Sequence, residues 1–138
     1  MKLVLATVLM LATAAPAIAE TWKCDYSGRW STTGSTNEGT FDWKLVWTSK
    51  TSGWRMVGDY TDKYGMSYLD GTCENKTCKS TQTYKSGSLN GNQYSWTGTY
   101  TDKWDGKTRT INTFTGNWRA LKGGTAGPWS ATAICNKQ

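Results

Sequence analysis

Apolar and polar residues alternate along most of the chain after residue 20, and Trp and Tyr occupy many of the apolar positions. From Phe41 to Trp47, for example, every second residue is large and apolar, and most residues between them are polar. Because successive side chains of a strand point to opposite faces, this period of two predicts half-buried β-strands. The pattern predicts eight strands, at about residues 25–33, 39–49, 53–61, 66–73, 78–86, 92–102, 108–119 and 128–135.

One strand-and-turn unit occurs twice in the sequence. The segment W-x-M-x-G-x-Y-T-D-K-Y-G at 54–65 returns 40 residues later as Y-x-W-x-G-x-Y-T-D-K-W-D-G at 94–106. Each copy is typical of a strand followed by a polar turn that ends in Gly. Asp62 and Asp102 stand at equivalent positions beside a Lys, and we interpret both as turn residues.

A shorter pattern, apolar-x-Gly-x-apolar, occurs five times, around Gly28, Gly58, Gly71, Gly98 and Gly116. Gly at such a position lets a coiled strand bend or lets a bulky side chain lie across it. Short connections predict that each strand pairs with the next, and closing such a meander removes its exposed edges. The prediction is an all-β fold: a small up-and-down antiparallel β-barrel of about eight strands, forming a single domain at 20–138.

Residues 1–19 have the features of a cleavable signal peptide. Lys2 precedes an apolar run from Leu3 to Ala15, a proline breaks the run, and Ala17-Ile18-Ala19 supplies the small-x-small pattern that signal peptidase recognises. The run is shorter than the roughly 20 apolar residues of a membrane-spanning helix. We therefore predict an exported protein without a transmembrane segment, located in the periplasm or outside the cell.

The chain contains four cysteines, Cys24, Cys73, Cys78 and Cys135, and no His. An even number of Cys in an exported chain is typical of two disulfides, and the lack of His disfavours zinc. In an even-stranded antiparallel barrel the first strand begins beside the end of the last, which brings Cys24 to Cys135. The other two flank a predicted hairpin tip at 74–77, so we predict the pairs 24–135 and 73–78.

Three segments match short motifs of a known β-barrel family. They are Gly28-x-Trp30-x-x-x-Gly34-Ser35, then Trp96-x-Gly98-x-Tyr100 with the later Arg109-Thr110-Ile111-Asn112-Thr113, and finally Trp129-Ser130-Ala131-Thr132. In this order they resemble the avidin-like barrels, which belong to the wider set of lipocalin-type (calycin) proteins. The resemblance implies an eight-stranded barrel.

Several positions depart from the avidin-like pattern. The Asn of the first loop and the terminal Asp are absent, Asn92 and Tyr94 stand where the family has Ser and Thr, and Phe114-Thr115 replaces an expected Trp. These departures argue against biotin as the ligand.

The sequence shows no arrangement typical of an enzyme. Without His, the common Ser-His and Cys-His pairs cannot form, and no HExxH, P-loop or GxGxxG motif is present. A carboxylate pair would have to come from Asp59, Asp62, Asp70, Asp102 and Asp105, two of which we interpret as turn residues. We predict a protein that is not an enzyme and that uses no metal or cofactor.

The aromatic residues are the candidate binding residues. Nine Trp and seven Tyr stand beside two Phe, and packing alone rarely selects so much Trp over Leu, Ile and Val. For any single aromatic, packing in the barrel core is the simpler interpretation, because eight-stranded barrels are either filled or hold one small ligand. If there is a ligand site, we expect it to involve strands two, three and six, chiefly Trp43, Trp47, Trp54, Tyr94 and Trp96. Strands of opposite direction place these residues at different heights, so only a subset can contact one small molecule.

The formal charge of +6 is spread along the chain without a dense basic cluster, which argues against nucleic acid. Spread charge of this kind is typical of a solvated surface, and the functional alternative is attraction to an anionic envelope polymer or an acidic protein partner. Three functions remain open: binding of a small or sugar-like ligand, a protein-binding module such as an inhibitor or adhesion factor, and a structural envelope protein without a specific ligand. An open aromatic-lined cavity would favour the first, and an outer patch of exposed Trp the second.

Overall fold

The computed structural model describes residues 18–138, which form one closed antiparallel sheet without any helix. The strands are β1 (Thr21–Ser31), β2 (Glu38–Ser49), β3 (Trp54–Asp62), β4 (Gly65–Glu74), β5 (Thr77–Tyr84), β6 (Gln93–Trp104), β7 (Thr108–Ala120) and β8 (Ala126–Lys137). Each strand pairs with the next, and β8 pairs with β1. The predicted eight-stranded up-and-down barrel is therefore confirmed.

The sheet is closed by the ladder between β1 and β8. Cys24 and Cys135 are direct partners in this ladder and form a disulfide, as predicted. The predicted strand ends were wrong here, because β1 begins at Thr21 and β8 runs to Lys137. The extension has a physical reason: Trp22 is buried in the core and is held by ladders on both sides.

The second disulfide joins Cys73 to Cys78 across the β4–β5 hairpin, which confirms the other predicted pair. The ladder continues one residue pair beyond the disulfide, so the turn is shorter than the predicted 74–77 tip. Only Asn75 and Lys76 form it, with left-handed φ values of 51° and 62°. Two consecutive residues of this conformation are typical of a type I′ hairpin turn.

Large aromatic side chains fill the middle of the barrel. Phe41, Trp43, Leu45 and Trp47 of β2 are all buried, as their spacing predicts. The ring of Trp43 packs against Phe41 at 4.7 Å and against Trp129 at 5.2 Å between centroids. The interior is thus a packed core at mid-height.

The two ends of the barrel are built differently. The β1–β2, β3–β4, β5–β6 and β7–β8 connections meet at one end, which we call the mouth. The β2–β3, β4–β5 and β6–β7 turns lie at the other end, together with the start of β1 and the finish of β8. We call it the closed end.

Two interior glycines show why the repeated apolar-x-Gly-x-apolar pattern is needed. A Cβ at Gly98 would lie 2.6 Å from the ring of Trp129, and one at Gly116 would meet the backbone oxygen of Thr97. Gly98 therefore makes room for an indole, as predicted, whereas Gly116 makes room for the backbone of the neighbouring strand, which was not predicted.

The predicted signal peptide falls almost entirely outside the described residues. Of its positions only Ile18 and Ala19 are described, and both are exposed. Within 18–138 no helix is long and apolar enough to cross a membrane.

Loss of the closing disulfide should destabilise the barrel more than loss of the hairpin disulfide. The two bonds join residues 111 and 5 positions apart. The chain-entropy model then gives about 5 kcal/mol for the first and about 2 kcal/mol for the second. We expect Cys24→Ala/Cys135→Ala to unfold at a clearly lower urea concentration than Cys73→Ala/Cys78→Ala. Equal midpoints in equilibrium unfolding would contradict this.

Gly116→Ala should lower the free energy of unfolding by about 1–3 kcal/mol, the usual cost of overpacking. The new methyl group would press on the β6 backbone, which cannot move without disturbing its own ladder. Gly124→Ala is the matched control, because no heavy atom lies within 4 Å of its Cβ position. Urea unfolding of both variants measures the difference in their free energy of unfolding. Similar midpoints would show that the β6 backbone can move to accommodate the new methyl group.

Candidate functional site

Six aromatic side chains from five strands and one turn follow one another around the mouth. The centroid distances are 6.0 Å for Tyr64–Trp30, 6.0 Å for Trp30–Trp118, 5.9 Å for Trp118–Tyr94, 5.7 Å for Tyr94–Tyr84 and 6.4 Å for Tyr84–Tyr60. We call this set the mouth ring. Its members come from β1, β3, the β3–β4 turn, β5, β6 and β7, so only closure of the barrel brings them together.

Asp62 joins the two ends of the mouth ring. The hydroxyls of Tyr60 and Tyr84 donate to its Oδ2 at 2.9 and 2.6 Å. The backbone N–H of Tyr64 donates to its Oδ1 at 2.9 Å, which is the hydrogen bond expected of a turn aspartate. One carboxylate therefore shapes the β3–β4 turn and also orients two tyrosines of the ring.

A chain of buried hydrogen bonds forms the floor below the mouth ring. Trp96 Nε1 donates to Gln82 Oε1 at 2.7 Å, and Gln82 Nε2 donates to Ser67 Oγ at 2.8 Å. All three residues are buried, so these bonds satisfy polar groups that would otherwise be costly inside the barrel. On the wall, Trp118 Nε1 donates to the backbone oxygen of Ser31 at 2.9 Å. The floor and this part of the wall are thus held by specific hydrogen bonds.

The mouth ring encloses a cavity of about 400 Å³. Its outer rim is polar and comes from the loops, with Thr32, Thr33, Ser35, Asn37, Gly124 and Thr125, and Leu89 adds an apolar contact. Asp62 is the one charged residue among the described residues that line it. Aromatic walls with a few polar groups at fixed positions are typical of small-molecule sites.

The closed end contains a second cluster of aromatic rings, but a side chain of the protein fills it. The guanidinium carbon of Arg109 lies 5.3 Å from the ring of Trp22, 5.2 Å from Trp54 and 5.8 Å from Trp104. Its Nε is 2.9 Å from Asp102 Oδ2, which makes an ion pair, although the N–H is not aligned for a regular hydrogen bond.

The interpretation of Asp102 as a turn residue is wrong. The strand continues past it to Trp104, and the turn is instead shaped by Asp105. The backbone N–H groups of Lys107 and Thr108 donate to the Asp105 carboxylate at 3.0 and 2.7 Å. These hydrogen bonds lower the pKa of Asp105. Sequence spacing could not show whether Asp102 or Asp105 shapes the turn, since both stand close to Gly106.

The five residues predicted for a ligand site are divided among three levels of the barrel. Tyr94 and Trp96 line the mouth cavity. Trp43 and Trp47 are each 1% exposed and belong to the packed middle. Trp54 lies at the closed end against Arg109. Two of the five therefore line one cavity, while Trp43 packs against Trp96 at 5.5 Å and Trp47 against Trp54 at 6.1 Å between centroids. The role of all five in binding stays a prediction.

The sequence interpretation missed Asp62 and most of the mouth ring as site residues. One signal was present: Tyr60, Asp62 and Tyr64 alternate, so they share a face of the strand and its extension. The contributions of Trp30 and Trp118 had no such signal, because they depend on which strand ends meet at the mouth.

The chain has the architecture of a small closed β-barrel with an aromatic interior and an aromatic-walled cavity at one end. No protein-family model and no curated protein sequence matches it significantly. Among solved structures it is similar to the ywiB protein from Bacillus subtilis, with 6% identity, a TM-score of 0.49, and coverage of 87% of this chain and 93% of that one. A likeness this distant says nothing about function, and the resemblance to avidin-like barrels extends to the eight-stranded architecture alone.

Buried tyrosines should make the protein sensitive to alkali. Burial raises the pKa of Tyr26, Tyr60, Tyr84 and Tyr100 above the ordinary value of 10.0, and for Tyr60 and Tyr84 the nearby Asp62 charge adds to the effect. A raised pKa in the folded state means that the stabilisation is present below pH 10 and is lost as pH rises above it.

We expect the absorbance of these four tyrosinates at 295 nm to appear together with loss of the folded circular dichroism signal. Unfolded protein in urea, in which every Tyr should titrate near pH 10, is the control. Ionisation of all the tyrosines near pH 10 while the barrel remains folded would contradict the burial effect.

Proposed function

We propose that this protein is an exported binding protein that holds a small ligand with a flat or sugar-like body in the mouth of the barrel. The observation that carries the proposal is the mouth ring, which surrounds a cavity of about 400 Å³ above a packed core. The volume is within the range of about 300–1,000 Å³ that is usual for small-molecule sites.

Aromatic side chains at the mouth match such a ligand physically. Their faces offer large apolar areas to the C–H face of a sugar or to a flat heterocycle. Hydroxyl and amide groups at the rim, such as Thr33, Ser35 and Asn37, can exchange hydrogen bonds with polar groups at the ligand's edge. The hydrogen bonds of Trp96, Trp118 and Asp62 hold the walls in place before binding, which reduces the ordering cost.

A larger groove on the outer surface is a weaker candidate. It has a volume of about 700 Å³ and crosses β8, β1 and β2, where exposed side chains such as Arg29, Thr40 and Lys63 line much of it. Exposed polar groups of this kind compete with water for a ligand, whereas aromatic side chains form most of the walls at the mouth.

The proposal is one of binding without catalysis. Asp62, the charged residue lining the mouth, accepts hydrogen bonds from two tyrosines and a backbone N–H, and the chain contains no His to act with it. The signal-like N-terminus and the two disulfides support the exported location, since disulfides persist in oxidising compartments.

Tyr94→Ala should weaken binding about tenfold, because it removes one wall of the mouth ring and its stacking surface. The ligands to titrate are mono- and oligosaccharides, peptidoglycan fragments and flat heterocycles, with Trp fluorescence as the signal. Trp30, Trp96 and Trp118 line the cavity and should report occupancy.

Tyr68→Ala is the matched control, since Tyr68 is 40% exposed and is not part of the mouth. Equal affinities of the two variants for a ligand that quenches fluorescence would place the site elsewhere. Absence of binding by the whole panel would contradict the proposed ligand classes.

A further inference from the structure

The repeated strand-and-turn unit places one carboxylate among aromatic rings at each end of the barrel. β3 runs towards the mouth and ends at Asp62, whereas β6 runs away from it and carries Asp102 to the closed end. In both copies a Tyr precedes the Asp by two residues and an aromatic residue follows it by two. The two ends are therefore chemically comparable, and what each one holds can be compared directly.

At the closed end the carboxylate is neutralised by the protein itself. Arg109 lies among three Trp rings, at 5.2 to 5.8 Å from their centroids, with its Nε at 2.9 Å from Asp102. Lys76 Nζ donates to the other carboxylate oxygen at 3.0 Å. A cation above aromatic faces and beside a carboxylate gains both cation–π attraction and an ion pair.

At the mouth the carboxylate has no such cation. Within residues 18–138 no Lys or Arg comes within 4.0 Å of the Asp62 oxygens in an ion pair. The adjacent Lys63 makes no ion pair with Asp62. Its Nζ lies 5.1 Å from the ring centroid of Trp30 and 5.3 Å from that of Tyr64, and it donates to Asn37 Oδ1 at 2.7 Å and to the backbone oxygen of Glu38 at 2.8 Å. Lys63 does not line the cavity, so Asp62 supplies the charge there.

We infer that the mouth binds a small organic cation, in which a guanidinium or ammonium group lies among the aromatic rings and is attracted to Asp62. The inference rests on the proposed binding function and names the ligand's charge. The external cation would lie beside Asp62 as Arg109 lies beside Asp102. Its aromatic contacts would be Tyr60, Tyr84, Tyr94 and Trp118, since Lys63 Nζ already lies over Trp30 and Tyr64.

The hydrogen bonds of Asp62 leave room for this ligand. Two tyrosine hydroxyls donate to Oδ2, while Oδ1 accepts only the N–H of Tyr64 among the described groups. A carboxylate offers about four acceptor positions, so Oδ1 retains one for an N–H of the ligand. A quaternary ammonium, which has no N–H, would rely on the rings and on the charge alone.

A neutral sugar could use the aromatic walls and donate a hydroxyl hydrogen bond to Asp62, but it would gain no ion-pair attraction. The whole chain is basic, with a formal charge of +6, whereas the charged side chain that lines the cavity, Asp62, is negative. Electrostatic complementarity of this kind selects among ligands of similar shape.

The test uses two pairs of ligands that have nearly the same shape and differ in charge. Propylguanidinium is compared with propylurea, and choline with 3,3-dimethylbutan-1-ol. Calorimetry and Trp fluorescence on the folded, oxidised protein measure the affinities. We expect each cation to bind at least about tenfold more tightly than its neutral partner, because both cation–π attraction and the carboxylate favour it.

Asp62→Asn should lower the ratio of cation affinity to neutral-partner affinity by about tenfold. The ratio is the readout, because Asp62 also orients Tyr60 and Tyr84 and its replacement can change both affinities. Asp59→Asn is the matched control, since Asp59 is exposed on the same strand and its loss changes the net charge equally. Thr33→Lys is a second variant in case Asp62→Asn does not fold. It places a positive charge at the exposed rim and should weaken both cations.

The outcomes separate this inference from the proposed function. Equal binding of cations and neutral partners, weakened by Tyr94→Ala, would overturn the charge preference and leave a binding site at the mouth. If only neutral sugars bind, and Asp62→Asn leaves their affinity unchanged, the charge preference is likewise overturned and the binding site at the mouth remains. If neither cation binds, the inference is wrong whatever the sugars and heterocycles do, and if they also fail to bind, the proposed function fails with it.

Discussion

The structure depends on closure of the sheet between β1 and β8. This ladder fixes the barrel at eight strands, and the number of strands sets an interior that is just wide enough to be filled by side chains. The Cys24–Cys135 bond lies within the same ladder and ties the first strand to the last. Closure of the sheet makes the inner faces of all eight strands meet in one aromatic core. It also brings alternate strand ends together at the mouth and at the closed end.

A narrow interior explains the unusual residue composition. Trp and Tyr fill space with few side chains, and glycines such as Gly98 and Gly116 make room where an indole or a neighbouring strand comes close. Most aromatics are therefore structural. Trp43 and Trp47 illustrate this, since both are fully buried and neither lines the mouth cavity.

The ends of the barrel use the same kinds of residues with different results. At the closed end, Arg109 comes from β7 and completes a group of rings and carboxylates. At the mouth, the aromatic rings surround a cavity, and Asp62 interacts with tyrosine hydroxyls instead of a basic side chain. Arg109, near the start of β7, reaches Asp102, whereas Arg119, near the end of the same strand, is exposed and does not line the mouth cavity.

The sequence by itself determined the strands, the interior face of β2, both disulfides and the barrel, because alternation and chain order act locally or between neighbouring strands. It did not determine which end is open. Nor did it show that Trp30 contacts Trp118, because these residues are distant in sequence and meet only through the register of the closed sheet. Asp62 and Asp102 look alike in the repeat, yet one lines a cavity and the other pairs with Arg109. Only the tertiary structure separated them, since the direction of each strand decides which side chains of other strands surround its end.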